Sequence, residues 1–119
     1  MPVSDGFVDF VLEQLDPLGP IVSKRMFGGV GLYAGDLFFA LVSSDVLYLK
    51  ADDDTRGTRA AAGARPFQAF PDRPRGNGKM QYYSVPAEIL EDGDMLVAWA
   101  KEAVSIASAQ HASRSKRRR

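Results

Sequence analysis

Apolar residues near the start of the chain recur every three or four positions, which is the period of one helix face. The residues with this spacing are Phe7, Val8, Val11, Leu12 and Leu15. Ser4 or Asp5 can cap the helix, because a short polar side chain accepts hydrogen bonds from the first free backbone N–H groups. Pro17 and the pair Gly19-Pro20 predict its end.

Alternating and apolar runs predict strands after this helix. Residues 21–27 alternate imperfectly, as in a strand, and residues 31–34 and 37–42 make or extend the next strand. Ser43-Ser44-Asp45 predicts a turn into a strand over residues 46–50. We therefore expect a three-stranded meander.

Three glycines stand close together at the start of the second strand region. Gly28, Gly29 and Gly31 either allow a positive φ or let another group approach the main chain closely. A phosphate-binding loop needs a helix start directly after its glycines. Here a turn at Gly35-Asp36 and a second apolar run follow, so we favour a β-hairpin softened by glycine.

The middle of the chain predicts a helix over residues 55–62, because the aspartates before it suit the positive end of a helix dipole. A divalent-cation site at Asp52, Asp53 and Asp54 is disfavoured, because consecutive residues at a helix start point in different directions and their carboxylates do not converge on one ion. Residues 66–70 resemble a short strand, and residues 80–85 predict the last strand.

The end of the chain predicts a short helical turn over residues 87–90, begun by Pro86, and a long helix capped by Asp92. The apolar face of the long helix comprises Leu96, Trp99, Ala103, Ile106 and Ala107, and Trp99 serves as a packing anchor. The order α-β-β-β-α-β-β-α predicts a two-layer α+β domain, with helices packed on a five-stranded antiparallel sheet.

Composition excludes several classes of chemistry. The chain has 119 residues, 45% hydrophobic and 25% charged, which fits one globular domain. It has no cysteine and one histidine, His111, so a disulfide, a thiol nucleophile, a zinc site and a Ser-His-Asp triad lack their residues. We expect no enzyme activity, no cofactor and no metal. Because no membrane segment or signal peptide is evident, we expect a cytoplasmic protein.

The formal net charge of +0 conceals an uneven distribution. Residues 1–113 carry 10 basic and 15 acidic residues, hence 10 − 15 = −5, and the last six residues carry +5. We predict a domain over residues 1–112 and a disordered basic tail over 113–119, which either stays solvated or makes weak contact with nucleic acid. Its basic residues are Arg114, Lys116, Arg117, Arg118 and Arg119.

Several separated motifs resemble the N-terminal domain of the TfoX/Sxy family. They are Arg25-Met26-Phe27-Gly28-Gly29-Val30-Gly31-Leu32-Tyr33, Phe38-Phe39-Ala40-Leu41, Leu47-Tyr48-Leu49-Lys50-Ala51-Asp52 and Tyr82-Tyr83-Ser84-Val85-Pro86-Ala87-Glu88, with Trp99. The resemblance covers residues 5–107. It implies an α+β fold similar to that of secretion chaperones, and a relationship to bacterial regulators of natural competence that act with the cyclic-AMP receptor protein.

The resemblance supplies no catalytic residue. Its shared residues are interpreted as fold determinants: Met26, Phe27, Gly28, Gly29, Gly31, Tyr33, Tyr48, Tyr82, Tyr83, Pro86 and Trp99. Longer family members carry a second, helical domain that is not present here, so we expect a stand-alone domain and leave the role in competence open.

Two classes of function remain after these exclusions. The first is a regulatory adaptor for a protein partner, such as a transcription factor or RNA polymerase, with Lys24-Arg25 and the hairpin over residues 28–35 as the contact region. An exposed sheet edge also makes a homodimer an option.

The second class is a small-ligand or enzyme-like domain with a pocket between sheet and helices, in which Arg25, Tyr48, Tyr82 or Tyr83 supplies polar contacts. A further, weaker interpretation places bases on Phe67 and Phe70. Direct DNA binding by the body of the protein is disfavoured by its charge of −5.

Overall fold

The computed structural model describes residues 5–26, 29–52, 55–67 and 82–117. In chain order its elements are helix α1 (Asp5–Gln14), a 3-10 turn (Asp16–Leu18), strands β1 (Ile21–Met26), β2 (Gly29–Ala34), β3 (Leu37–Ser43) and β4 (Val46–Lys50), helix α2 (Arg56–Ala61), strand β5 (Tyr82–Ser84), and helices α3 (Ala87–Leu90) and α4 (Gly93–Arg117).

Five antiparallel strands form one sheet with the order β1-β2-β3-β4-β5. The two-layer α+β fold with five strands is therefore confirmed, although within the described ranges four strands precede α2 and one follows it. Gly35, with φ 62°, lies in the predicted turn and closes the β2–β3 hairpin, so residues 31–34 and 37–42 belong to two strands and do not form one extended strand. Ser44 and Asp45, with φ 51° and 58°, take the left-handed conformation that a tight β3–β4 turn requires at both central positions.

The predicted short strand over residues 66–70 is reduced, in the part of the chain that the structure describes, to a single bridge between Pro66 and Tyr83. The Ser84 N–H donates to the Arg65 carbonyl at 2.8 Å, and the Phe67 N–H donates to the Tyr82 carbonyl at 2.7 Å. Residues 65–67 therefore run beside β5. Residues 68–70 lie outside the described residues, as do residues 80 and 81 of the predicted last strand.

Helices α1 and α4 cover one face of the sheet and enclose the core with it. Small side chains at Ala100, Ala103 and Ala107 let α4 lie close to the strands, and Leu96 is completely buried. Full burial of such a leucine stabilises the fold by about 1.5–3 kcal/mol. The main core residues are Val11, Leu15, Val30, Leu32, Phe39, Val42, Leu47, Leu49 and Leu96. The opposite face of the sheet is called the outer face below.

Short polar side chains make hydrogen bonds at the start of α4 and in the turn before α2. Asp92 caps α4 as predicted, because its Oδ1 accepts a hydrogen bond from the Met95 N–H at 3.2 Å. Before α2, the Asp52 Oδ1 accepts bonds from both the backbone N–H and the hydroxyl of Thr55, each at 2.9 Å. Asp53 and Asp54 lie outside the described residues.

Helix α4 extends further than the sequence suggests. It continues to Arg117, so the backbone of residues 113–117 is helical where a disordered tail was predicted. Arginine and lysine favour helix interiors, and positive charge suits the carboxyl end of a helix dipole, which explains the continuation. The domain boundary at residue 112 stays a prediction. No helix among the described residues combines the length and apolar character needed to cross a membrane.

Candidate interaction surface

Strand β1 carries the predicted contact residues Lys24 and Arg25 at an edge of the sheet. Residues 22–25 are all exposed, and Val22 retains 48% of its accessible surface. The helix layer therefore leaves both faces of this strand open. We call residues 22–25, together with the side of β1 that faces away from β2, the β1 edge.

The two basic side chains of the β1 edge lie on opposite faces. Arg25 pairs with Val30, a core residue, so Arg25 lies on the face that carries the helices. Lys24 pairs with Gly31 and lies on the outer face, because successive strand residues alternate. Its ammonium group stands 5.1 Å from the centre of the Tyr33 ring.

Aromatic rings cross the outer face in one row. The ring centres of Tyr33 and Phe38 are 5.1 Å apart, and those of Phe38 and Tyr82 are 5.5 Å apart. Lys50 lies 4.9 Å above the Tyr82 ring and donates a hydrogen bond to its hydroxyl at 3.3 Å. Tyr33 lies between Lys24 of β1 and Phe38 of β3, so neighbouring side chains already contact its ring. The row is a packed surface rather than a platform with open ring faces.

A second aromatic contact lies on the same face. The Tyr48 and Phe67 rings meet edge to face, with centres 5.0 Å apart. Burial raises the pKa of the Tyr48 hydroxyl above its usual range. Phe67 thus packs against the sheet, while Phe70, its predicted partner in base stacking, lies outside the described residues.

Charge is strongly polarised between the sheet and the rest of the chain. The five strands contain no aspartate or glutamate, and they contain three basic residues: Lys24, Arg25 and Lys50. The acidic residues that the structure describes lie in helices, turns and loops instead. The strands are therefore basic despite the acidic total of residues 1–113, and two of their three basic residues lie in β1.

Gly29 serves close packing in this sheet. A Cβ atom at this position would lie 2.4 Å from the carbonyl oxygen of Val42, so a side chain here would clash with β3. Among the described glycines, a positive φ occurs at Gly19, Gly35 and Gly63, so Gly29 and Gly31 do not make a bend of that kind. Phe27 and Gly28 lie outside the described residues, and Met26 is the last residue of β1.

The structure does not bring the residues of the pocket hypothesis together. Tyr83 pairs with the core residue Leu49, so it shares with Arg25 the face that carries the helices. Tyr48 and Tyr82 lie on the outer face instead. A surface depression of about 410 Å³ lies elsewhere, and its lining is Leu12, Asp16, Gly19, Pro20 and Ile21.

An ion pair between a buried arginine of α2 and a half-exposed glutamate of α4 was missed by the sequence analysis. Arg59 is 4% exposed, its guanidinium lies 4.0 Å from the centre of the Trp99 ring, and its Nη2 donates to the Glu102 carboxylate. The Arg59 Nε is buried and makes no hydrogen bond with any described residue. Burial lowers the pKa of Arg59, and Glu102 opposes that shift.

The other predicted residues occupy structural positions. Pro86 is the N-cap residue of α3, and its carbonyl accepts from the N–H groups of Ile89 and Leu90, each at 3.0 Å. Trp99 is partly buried and packs against the core, as a packing anchor does. In the basic tail, Arg114, Lys116 and Arg117 continue α4, while Arg118 and Arg119 lie outside the described residues.

The family described as the TfoX N-terminal domain matches residues 13–107, which include all five strands and most of α4. No curated protein matches the chain. Because the matched segment is well over half of the 119 residues, the chain belongs to the TfoX N-terminal domain family.

Proposed function

We propose that this protein is a non-enzymatic interaction domain that takes part in transcriptional regulation by binding a protein partner at the β1 edge. The observation that carries the proposal is the exposure of residues 22–25, with Lys24 and Arg25 on opposite faces of one edge strand. The regulatory role rests on membership of the TfoX N-terminal domain family and on its resemblance to competence regulators. A cytoplasmic location accords with such a role.

The chemistry of the surface supports a binding role rather than a catalytic one. The described part of the outer face presents packed aromatic rings and ammonium groups, and none of its residues forms a pair of nucleophile and base. Specific protein contacts are often centred on arginine and aromatic side chains within a polar rim, and the β1 edge offers Arg25 beside the polar side chains of Ser23 and Lys24. The partner is a transcription factor or RNA polymerase subunit with an acidic surface, and the basic tail adds weak contact with nucleic acid.

The test is affinity purification from the host with quantitative identification of proteins and nucleic acids. The variant Lys24→Glu/Arg25→Glu reverses the charge of the β1 edge. Lys101→Glu is the matched control, because Lys101 is exposed on α4, away from the sheet edge. A third version lacks residues 114–119.

We expect a specific protein partner that is retained by Lys101→Glu and by the shortened chain, and that is lost from Lys24→Glu/Arg25→Glu. Equal recovery by that variant and the control contradicts a role for the β1 edge. Recovery of nucleic acid alone, dependent on residues 114–119, contradicts the adaptor function.

A further inference from the structure

The two edges of the sheet differ in what lies beside them. The edge of β5 that faces away from β4 pairs with residues 65–67 through the Pro66–Tyr83 bridge and the flanking backbone hydrogen bonds. β5 is also followed closely by Pro86. By contrast, β1 pairs with β2 alone among the residues that the structure describes.

Strand β1 has the geometry of a template for another strand. Its six residues pair with β2 in an unbroken register, and the irregularity of this sheet region lies between β2 and β3 instead. No proline interrupts β1. About half of the N–H and C=O groups of an edge strand point away from its neighbour, and these groups can accept an added strand.

Side-chain charge determines which strand fits. Lys24 and Arg25 present positive charge on both faces, so a neighbouring strand gains from acidic residues opposite them. A second copy of β1 in antiparallel register would bring these like charges close together, which disfavours pairing of the protein with itself. Val22 lies on the same face as Lys24 and offers an exposed apolar contact two residues away.

We infer that the β1 edge accepts an extended acidic segment of a partner protein as a sixth strand of the sheet. This inference rests on the proposed adaptor function and gives its mode of binding. The segment carries two successive acidic residues, opposite Lys24 and Arg25, and an apolar residue opposite Val22. An antiparallel segment reads acidic-acidic-any-apolar, and a parallel one reads apolar-any-acidic-acidic.

The first experiment selects peptides of about eight residues, a common strand length, from a displayed random library on the full-length folded protein. We expect enrichment of one of these two patterns. Reversal of charge in Lys24→Glu/Arg25→Glu lowers the affinity of the selected peptides by at least about tenfold, whereas Lys101→Glu leaves it unchanged. Peptides without acidic enrichment, or no selected peptides, overturn the inference.

The second experiment tests strand addition itself. Amide hydrogen exchange of residues 22–25 is measured with and without the selected peptide, and slower exchange is expected at the amides that point away from β2. Methylation of alternate peptide nitrogens then gives a matched pair of probes, because in a strand successive N–H groups point to opposite edges. One methylated set abolishes binding and the other retains it. Equal binding by both sets overturns the inference.

These outcomes separate the inference from the proposed function. Loss of a host partner from Lys24→Glu/Arg25→Glu, with unchanged exchange at residues 22–25, retains the adaptor function and rejects strand addition. Slower exchange that depends on protein concentration, with a dimer in sedimentation, identifies a second copy as the occupant and rejects the acidic segment.

Discussion

Arg59 and Glu102 provide the most informative test of what holds α2 against α4. The Arg59 side chain is 5% exposed and that of Glu102 is 49% exposed, so the two partners of this ion pair differ greatly in hydration. Within the described residues, Glu102 supplies the negative charge that faces the buried guanidinium, and Trp99 supplies its ring. Removing either partner should therefore have unequal effects on the free energy of unfolding.

The variant Glu102→Gln leaves a buried cation with the Trp99 ring as its main remaining partner. Loss of one member of a fully buried pair costs about 3–5 kcal/mol, and the half-exposed position of Glu102 reduces this to about 1–3 kcal/mol. Arg59→Met removes a cation–π contact that stabilises the protein by about 0.5–2 kcal/mol. The same substitution also removes the unfavourable free energy of burying the charge and the Nε group that makes no hydrogen bond with a described residue. We expect that variant to lie within about 1 kcal/mol of the parent protein.

The double variant completes the cycle. Without the guanidinium, Glu102 has no buried charge to neutralise, so Arg59→Met/Glu102→Gln should be about as stable as Arg59→Met alone. The coupling free energy is then about 1–3 kcal/mol. Glu13→Gln on the exposed surface of α1 is the control, and its effect should stay within about 0.5 kcal/mol.

Urea unfolding at a fixed temperature gives these values. The chain has one tryptophan, so the fluorescence of Trp99 reports directly on this contact, while circular dichroism follows the helices as an independent probe. The reasoning is refuted if Glu102→Gln behaves like the Glu13→Gln control. It is also refuted if Arg59→Met destabilises the protein more than Glu102→Gln does.

Three further predictions concern the packing and the titration of single residues. Gly29→Ala should lower the free energy of unfolding by about 2 kcal/mol or more, because the added Cβ meets the backbone of β3. Gly57→Ala should raise it by about 0.5–1 kcal/mol, because nothing lies within 4 Å of the added Cβ and alanine favours a helix. Urea unfolding measures both variants, and equal effects would contradict the close packing at Gly29. Asp92→Ala should destabilise the protein by about 1 kcal/mol through loss of the α4 cap, a change visible in thermal unfolding, and Asp92→Asn should restore most of it. Burial raises the pKa of Tyr48 in the folded protein above its pKa in the unfolded chain, which is about 10. The protonated hydroxyl therefore makes its full contribution to stability below the unfolded pKa, and this contribution is lost as the pH rises from about 10 through the folded pKa. The parent protein should thus lose stability relative to Tyr48→Phe above about pH 10, and parallel pH profiles would argue against that burial.

Local features of the chain were predictable because their signals lie within a few residues. The apolar spacing of α1 and α4, the Asp92 cap, and the turn at Ser44 and Asp45 each depend on neighbouring side chains and on backbone conformation. The antiparallel sheet follows from short links between alternating segments, although the segment at residues 66–70 that counted as one of its strands contributes a bridge at Pro66. The sequence also indicated Lys24-Arg25 as a charged pair on a strand.

Long-range contacts depended on the tertiary structure. Lys50 meets Tyr82 across 32 residues, and Arg59 meets Glu102 across 43, and neither pair has a local signal. The alternation of a strand does not say which face the helices cover, nor whether the strand lies at an edge. The sequence alone determined most of the helix and strand segments and where charge is concentrated, but not the single bridge at Pro66 or the extension of α4 to Arg117. Only the tertiary structure decided that β1 is the open edge of the sheet: α4 packs on the sheet, and residues 65–67 pair with β5 at the other edge. The physical reason is that burial and strand order arise from contacts between distant parts of the chain.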